Sequence, residues 1–413
     1  MSCIVVFSMG VTRSFIAERV KGIKPSATVA LPDKARALRA AGVDVIDLSE
    51  GEPYFDTPKK IKVAAKKALD EGYVHYIASA GLKELRQAIS EKLRIDNQIE
   101  ADESEIIVTV GAKQALFTAM LSVLNPGDEV LIPDPYWVSY TAEVILSGGK
   151  PILISLLESR DFRLDEEEIK NKVTKKTKMI IINSPHNPTG TVFPKEDLKM
   201  IADLANDYNF LVMTDEIYEK IIYDENRHYS IASFPDMKDR TITINGLSKT
   251  YSMTGWRLGY AVANKQIIDN MLKIQQHSVT HASSFVQRAG VVALRECEEE
   301  VKAMVKEFKK SRDYFIKEIN KMGKFSCWVP KGAFYAFPKI VETKFSSEET
   351  TEYLLNEAHV LTVPGSAFGD LGRGYIRMVY SRPIEELEEA VQRMVGALEK
   401  LQRYTLAKRE DSA

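Results

Sequence analysis

Residues 241–257 read TITINGLSKTYSMTGWR. A β-branched, apolar run over 241–247 reads as a strand, and it delivers the chain into a turn of small residues that holds one lysine, Lys249, with Arg257 eight residues further on. A lysine at a desolvated strand end holds its proton less tightly, so its amine can condense with an aldehyde, while a fixed guanidinium grips a phosphate. The pairing suits an aldehyde-bearing, phosphorylated cofactor.

Upstream, three polar motifs follow or close short apolar runs in the same way: Asp134-Pro135-Tyr136-Trp137, Asn183-Ser184-Pro185-His186-Asn187-Pro188-Thr189-Gly190 and Thr214-Asp215-Glu216-Ile217-Tyr218-Glu219. Polar turns at several strand ends imply one shared cleft. The runs themselves, 106–110, 129–132, 151–155, 179–183, 210–214, 241–245 and 258–263, are nearly continuous in apolar character, which predicts a largely parallel sheet buried on both faces. Between them lie helical crossovers: 195–206 sets Leu198, Ile201, Ala202 and Ala205 at helical spacing, and 112–124 is apolar and begins beside a glycine. This is an α/β doubly wound domain over roughly 60–300. Ligands of such sheets sit outside the carboxyl ends of the strands, which is where Gly111, Asn187, Asp215 and Lys249 fall. Beyond residue 289 the chain turns charged and helical through 296–320, and a compact α+β pattern follows over 334–338, 350–358, 375–380 and 384–401.

A chain of 413 residues, 45% hydrophobic, is long enough for a large core and two domains. The 56 basic and 58 acidic residues leave a formal charge of −2 and are interspersed, so there is no electrostatic footprint for nucleic acid or an anionic membrane. The expected partners are small molecules or a second copy of the chain. Cys3, Cys297 and Cys327 form neither a CxxC pair nor part of a histidine cluster, which argues against a metal site or disulfide framework and fits a reducing cytoplasm. The apolar opening, Met1 to Met9, lacks a basic start and is too short for a membrane span; it reads as a disordered or additional start segment, with Met9 as an alternative initiator.

The wording and order of these motifs, over residues 24–401, resemble the fold type I pyridoxal-phosphate aminotransferases, specifically the prokaryotic branch of the class I aspartate aminotransferase family. The resemblance implies a large domain with a seven-stranded, mostly parallel sheet plus a smaller α+β domain. Its boundaries on this chain are an N-terminal arm at 1–23, a first part of the small domain at 24–59, the large coenzyme-binding domain at 60–300 and the remainder of the small domain at 301–413. It also implies pyridoxal 5'-phosphate as cofactor and a homodimer with shared active sites.

The roles follow residue by residue. Lys249 is the covalent anchor and general acid–base. Asp215 is the carboxylate that keeps the pyridine nitrogen protonated, so that the ring can act as an electron sink. Tyr218 and Asn187 resemble the pair that hydrogen-bonds the phenolic oxygen. Gly111-Ala112-Lys113 opens a helix whose free N–H groups face a phosphate, with Arg257 adding a charge-assisted fork and Ser248 a hydroxyl. The animal-type pattern has a serine three places before the lysine where this chain has Gly246. Tyr76 resembles the tyrosine that the neighbouring subunit gives to the phosphate, and Trp137 stacks on the ring face. Arg377, charged in the otherwise apolar run 375–380, is the α-carboxylate fork, and Gly51 in Gly51-Glu52-Pro53 meets the same carboxylate.

Animal-type aspartate aminotransferases read the distal carboxylate with a partner-chain arginine, and His277-Ser278-Val279-Thr280-His281 contains none. Lys113, where the prokaryotic branch has a lysine, is expected to do so, with Lys24 closing over it from the N-terminal arm. The expected activity is transamination between aspartate or glutamate and oxaloacetate or 2-oxoglutarate; aromatic, alanine or prephenate substrates are alternatives. A carbon–sulfur lyase or decarboxylase on the same fold would keep Lys249, Asp215 and Arg377, but the motifs around Gly51 and Gly111 favour transamination. A regulator built on this fold needs a winged-helix module, and the stretch before Lys24 is too short for one.

Overall fold

The structure, a computed structural model, describes residues 15–25, 27–341 and 345–410, so the expectations for Met1 to Met9 and Cys3 lie outside the described residues. An early strand, β1 (Ile46–Asp47), precedes a seven-stranded sheet of β2 (Ile106–Thr109), β3 (Glu129–Asp134), β4 (Lys150–Ser155), β5 (Thr177–Asn183), β6 (Leu211–Asp215), β7 (Thr241–Gly246) and β8 (Gly259–Val262). Their spatial order is β2-β8-β7-β6-β5-β3-β4. All pairs are parallel except those of β8, which runs antiparallel to both neighbours.

The pleat explains why these runs are apolar throughout. Successive side chains alternate between faces, so Met179 and Ile181 pack with Ala115, Leu116 and Met120 of the helix Gly111–Val123, whereas Ile180 and Ile182 pack with Leu198, Ile201 and Leu204 of the helix Lys195–Asp207. Both faces are covered, as a sheet of crossovers requires. The edge strand β4 is only half-buried.

After the sheet come the long helix Glu298–Lys321, then β9 (Phe325–Ser326), β10 (Tyr335–Ala336), β11 (Lys339–Ile340), β12 (Val360–Leu361), β13 (Val363–Pro364), β14 (Ile376–Val379) and the helix Ile384–Glu410. β14 lies between β10 and β13, antiparallel to both. β1 pairs in parallel with β12, so the chain before the large sheet is tied to the chain after it. One apolar cluster, with Phe308, Phe315, Phe334 and Met378, reaches Ile217 and Tyr218 beyond the end of β6. That shared cluster sets β10 and β14 against the carboxyl ends of the large sheet.

Candidate active site

Three parallel strands end side by side on one rim: β5 at Asn183, β6 at Asp215 and β7 at Gly246, just before Lys249. Asn183 staples this rim, donating from Nδ2 to the Asp215 carbonyl (2.9 Å) and accepting at Oδ1 from the Asn187 backbone N–H (2.8 Å). Two short polar motifs far apart in the chain are thus held in register by one amide.

A cavity of about 260 Å³ opens on this rim. Among its walls are Gly51, Ala112, Lys113, Trp137, Asn187, Asp215, Tyr218, Ser248, Lys249, Arg257 and Arg377, so these sequence-derived candidates meet in one place. Lys24 and Tyr76 do not line it. Lys24 is exposed on the N-terminal segment, and Tyr76 is 87% exposed, with its ring edge-on to His281 at 5.7 Å.

Lys249 donates from Nζ to the Gly51 carbonyl at 2.6 Å, and burial lowers its proton affinity so that it titrates at about 8. Asp215 is buried, and desolvation raises its carboxyl to about 6. Its Oδ2 accepts from the Tyr140 hydroxyl at 2.8 Å and its Oδ1 from the Ile217 N–H at 3.3 Å. Residues 217–220 form a turn, not a helix, so Asp215 caps nothing. Among the described residues its hydrogen-bond donors are both neutral, and the Lys249 charge lowers its carboxyl by less than desolvation raises it.

Arg377 is 1% exposed, held between the rings of Tyr335 (4.6 Å) and Phe368 (4.8 Å). It donates from Nη2 to the Ser49 carbonyl (2.7 Å) and from Nη1 to Asn187 Oδ1 (3.2 Å), while its buried Nε has no partner. Among the described residues this buried guanidinium forms no salt bridge, so it can receive a carboxylate.

A second group of residues in the cavity can also hold an anion. The helix Gly111–Val123 has no side-chain cap, which leaves first-turn N–H groups open. Arg257 lies over that helix start: a Cβ built on Gly111, whose φ is +78°, would meet the guanidinium at 2.5 Å. A Cβ on Gly259 would likewise collide with the Gly111 and Ala112 backbone. Glycine is needed at both positions for guanidinium, strand β8 and helix start to come together. Lys113 Nζ lies 4.8 Å from the Trp137 ring centroid, and burial lowers its pKa. Among the described residues it forms no salt bridge.

Sequence reading missed two residues here. Tyr140, three residues after Trp137 and near the start of the helix Ser139–Leu146, sets its ring edge-on to Trp137 at 5.4 Å and its hydroxyl on Asp215; its closeness to Trp137 in the chain was a signal. Tyr335, in β10, carried none.

The family model for class I and II aminotransferases matches residues 43–394. An aspartate aminotransferase of Pyrococcus abyssi is 48% identical over 386 residues, covering 93% of this chain and 98% of that protein. An aromatic-amino-acid aminotransferase of Thermococcus litoralis is 43% identical, again covering 93% of this chain and 98% of its own length. Among solved structures, aspartate aminotransferase from Thermus thermophilus with maleate superposes with a TM-score of 0.89 at 38% identity, covering 93% of this chain and all of that one (100%).

Proposed function

Because the chain belongs to the class I and II aminotransferases, enzymes that depend on pyridoxal phosphate, we propose that it transfers the amino group of aspartate or glutamate to 2-oxoglutarate or oxaloacetate by a ping-pong mechanism. The observation that carries this reading is the convergence in one cavity of a buried amine titrating at about 8, a buried carboxyl whose hydrogen-bond donors are neutral and a buried guanidinium with an unpartnered Nε.

These groups fit the coenzyme and an amino acid together. The uncapped helix start and Arg257 suit its phosphate, with Ser248 adding a hydroxyl. Asp215 suits the ring nitrogen, Asn187 and Tyr218 the phenolic oxygen, and Trp137 the ring face. When bound, pyridoxal phosphate would supply an aldehyde carbon reactive toward amines and a protonated ring able to accept electron density from the substrate α-carbon. Asp215, freed from its desolvation penalty by a cationic neighbour, holds that ring proton, and Tyr140 fixes Asp215 Oδ2. Arg377 aligns the α-carboxylate, with the Gly51 backbone beside it. Lys249 Nζ, displaced, takes up the α-proton; its low proton affinity keeps it a base near neutrality.

Dicarboxylate preference rests on Lys113, an ammonium held over Trp137 within the same cavity that forms no salt bridge among the described residues, the buried Glu143 carboxyl being the one carboxylate whose charge acts on it. The Thermus relative bound to maleate, a dicarboxylate, is consistent with it, and Lys24 would join it only by movement of the N-terminal segment. Mixing pure enzyme with each amino acid and recording conversion of the coenzyme to its amine form tests the reading, with aspartate and glutamate expected to react fastest. A charge-assisted hydrogen bond contributes on the order of 1.5–3 kcal/mol, so Lys113→Ala should lower the specificity constant for aspartate about ten- to hundredfold. Alanine and aromatic donors should change little. An equal loss for all donors would assign Lys113 to the phosphate alone.

Tyr76 is proposed to complete the phosphate site of a second copy in a homodimer. Support comes from its exposure, with Val74 beside it in the chain also exposed and its ring packed edge-on against His281. Neither Tyr76→Ala nor Lys249→Ala homodimers should be fully active, yet mixing them should restore activity, because a hybrid dimer holds one site with both residues intact. No recovery after verified subunit exchange would exclude shared sites. The reading carries a cytoplasmic enzyme with it. Its support is the free, buried Cys297 and Cys327, which fit a reducing compartment.

A further inference from the structure

Tyr335 belongs to none of the motifs that marked the cavity, yet it touches three of its walls. It stands in β10, 1% exposed, and its hydroxyl lies 2.6 Å from that of Tyr218. The guanidinium of Arg377, from the neighbouring strand β14, lies 4.6 Å from its ring centroid. A Cβ built on Gly51 would fall 2.6 Å from the same hydroxyl, so the absence of a side chain there makes room for the phenol. The Gly51 carbonyl in turn accepts from Lys249 Nζ. One side chain therefore contacts the phenol, the guanidinium and the backbone that the proposed chemistry uses.

We propose that Tyr335 is a positioning residue for transamination, donating its hydroxyl proton to Tyr218 so that the proton of Tyr218 is free for the coenzyme, while its ring fixes the plane of Arg377 for the α-carboxylate. The inference rests on the reading of the site given above.

The reasoning is a count of protons. A phenol has one proton to give and lone pairs to accept with. Among the described residues the Tyr218 hydroxyl has Tyr335 as its hydrogen-bond partner, and it lines the cavity. If Tyr218 gave its proton to Tyr335, it would have none for a ligand oxygen. In the reverse direction the two bonds run in series, and each donation strengthens the next. Burial raises both phenols, which keeps them neutral, and the Arg377 charge opposes that rise at both. A cation on the face of the Tyr335 ring also draws electron density from its hydroxyl and makes it the better donor.

Tyr335→Phe keeps the ring over Arg377 and removes only the hydroxyl; Tyr335→Leu removes both. Three holoenzymes, wild type and the two variants, would be titrated with pH while the absorption of the bound coenzyme is followed, and kcat and KM for aspartate measured. Loss of the hydroxyl should raise the midpoint of the absorption change by roughly 0.4–1 pH unit and lower kcat about two- to tenfold, the size of one hydrogen bond, with KM nearly unchanged. Tyr335→Leu should add a rise in KM of roughly two- to thirtyfold, the size of a cation–π contact. An unmoved midpoint in Tyr335→Phe, or equal effects of the two variants on KM, would overturn the proposal. A merely structural role would lower thermal stability and leave the midpoint in place. If the wild type itself shows no pH-dependent coenzyme band, the reading of the whole site falls, and the proposal with it.

Discussion

Lys249→Ala is expected to lower turnover by at least about 10⁴-fold, the upper end of what proton transfer by one side chain contributes, because the same substitution also removes the covalent anchor. Borohydride should fix the coenzyme to the wild-type chain in a peptide containing Lys249 and fix nothing in the variant, even where coenzyme still binds through its phosphate. Lys249→Arg should be equally inactive, since a guanidinium keeps the charge but offers no neutral amine. The electrostatics add a pH signature. Burial lowers the Lys249 amine from its ordinary value of 10.5 to about 8, and only the unprotonated form attacks an aldehyde. Capture of coenzyme by the apoenzyme should therefore accelerate as pH rises and level off above about 8, about two pH units earlier than for an exposed lysine. Labelling of another lysine, Lys113 being the nearest rival in the cavity, would overturn the assignment.

Why this lysine could be found from sequence alone, and Tyr335 could not, is a matter of range. Lys249, Asp215 and Asn187 each follow a strand whose apolar run is visible locally, and parallel strands bring their carboxyl ends to one rim. The seven strands were legible for the same reason, with bounds misjudged by a residue or two: β3 continues through Pro133 to Asp134, where the proline reads locally as a break. The reversed direction of β8 was not legible, because a strand buried on both faces has the same composition whichever way it runs. Tyr140 was within reach, three residues from Trp137. Tyr335 meets Tyr218, Arg377 and Gly51 only because one apolar cluster holds β10 and β14 against the large sheet. No periodicity in residues 334–338 reports on that contact. Lys24 and Tyr76 mark the other limit: their proposed roles depend on a moving segment and on a second chain.

Asp215→Ala is expected to reduce turnover far more than coenzyme occupancy. The carboxyl is buried, and desolvation raises it to about 6 against the opposing charge of Lys249. A ring nitrogen cation would reverse that penalty, since an opposite charge in contact favours the ionised form. Breaking such a buried pair costs about 3–5 kcal/mol, roughly two to four orders of magnitude in rate when the interaction is needed in the transition state. Occupancy should fall much less, because the phosphate groups at the helix start and Arg257, and the bond to Lys249, do not involve Asp215. The alanine variant also strands the Tyr140 hydroxyl, so Asp215→Asn is the sharper test: its single amide oxygen can still accept from Tyr140 in place of the carboxylate oxygen, but it carries no charge. Near-equal losses in the two variants would identify the charge as what matters. Tyr140→Phe should fall between wild type and Asp215→Asn, because it removes one neutral donor and leaves the anion. Near-normal turnover in Asp215→Asn, with coenzyme still bound, would mean that the ring nitrogen lies elsewhere and that Asp215 serves only to tie β6 to Tyr140.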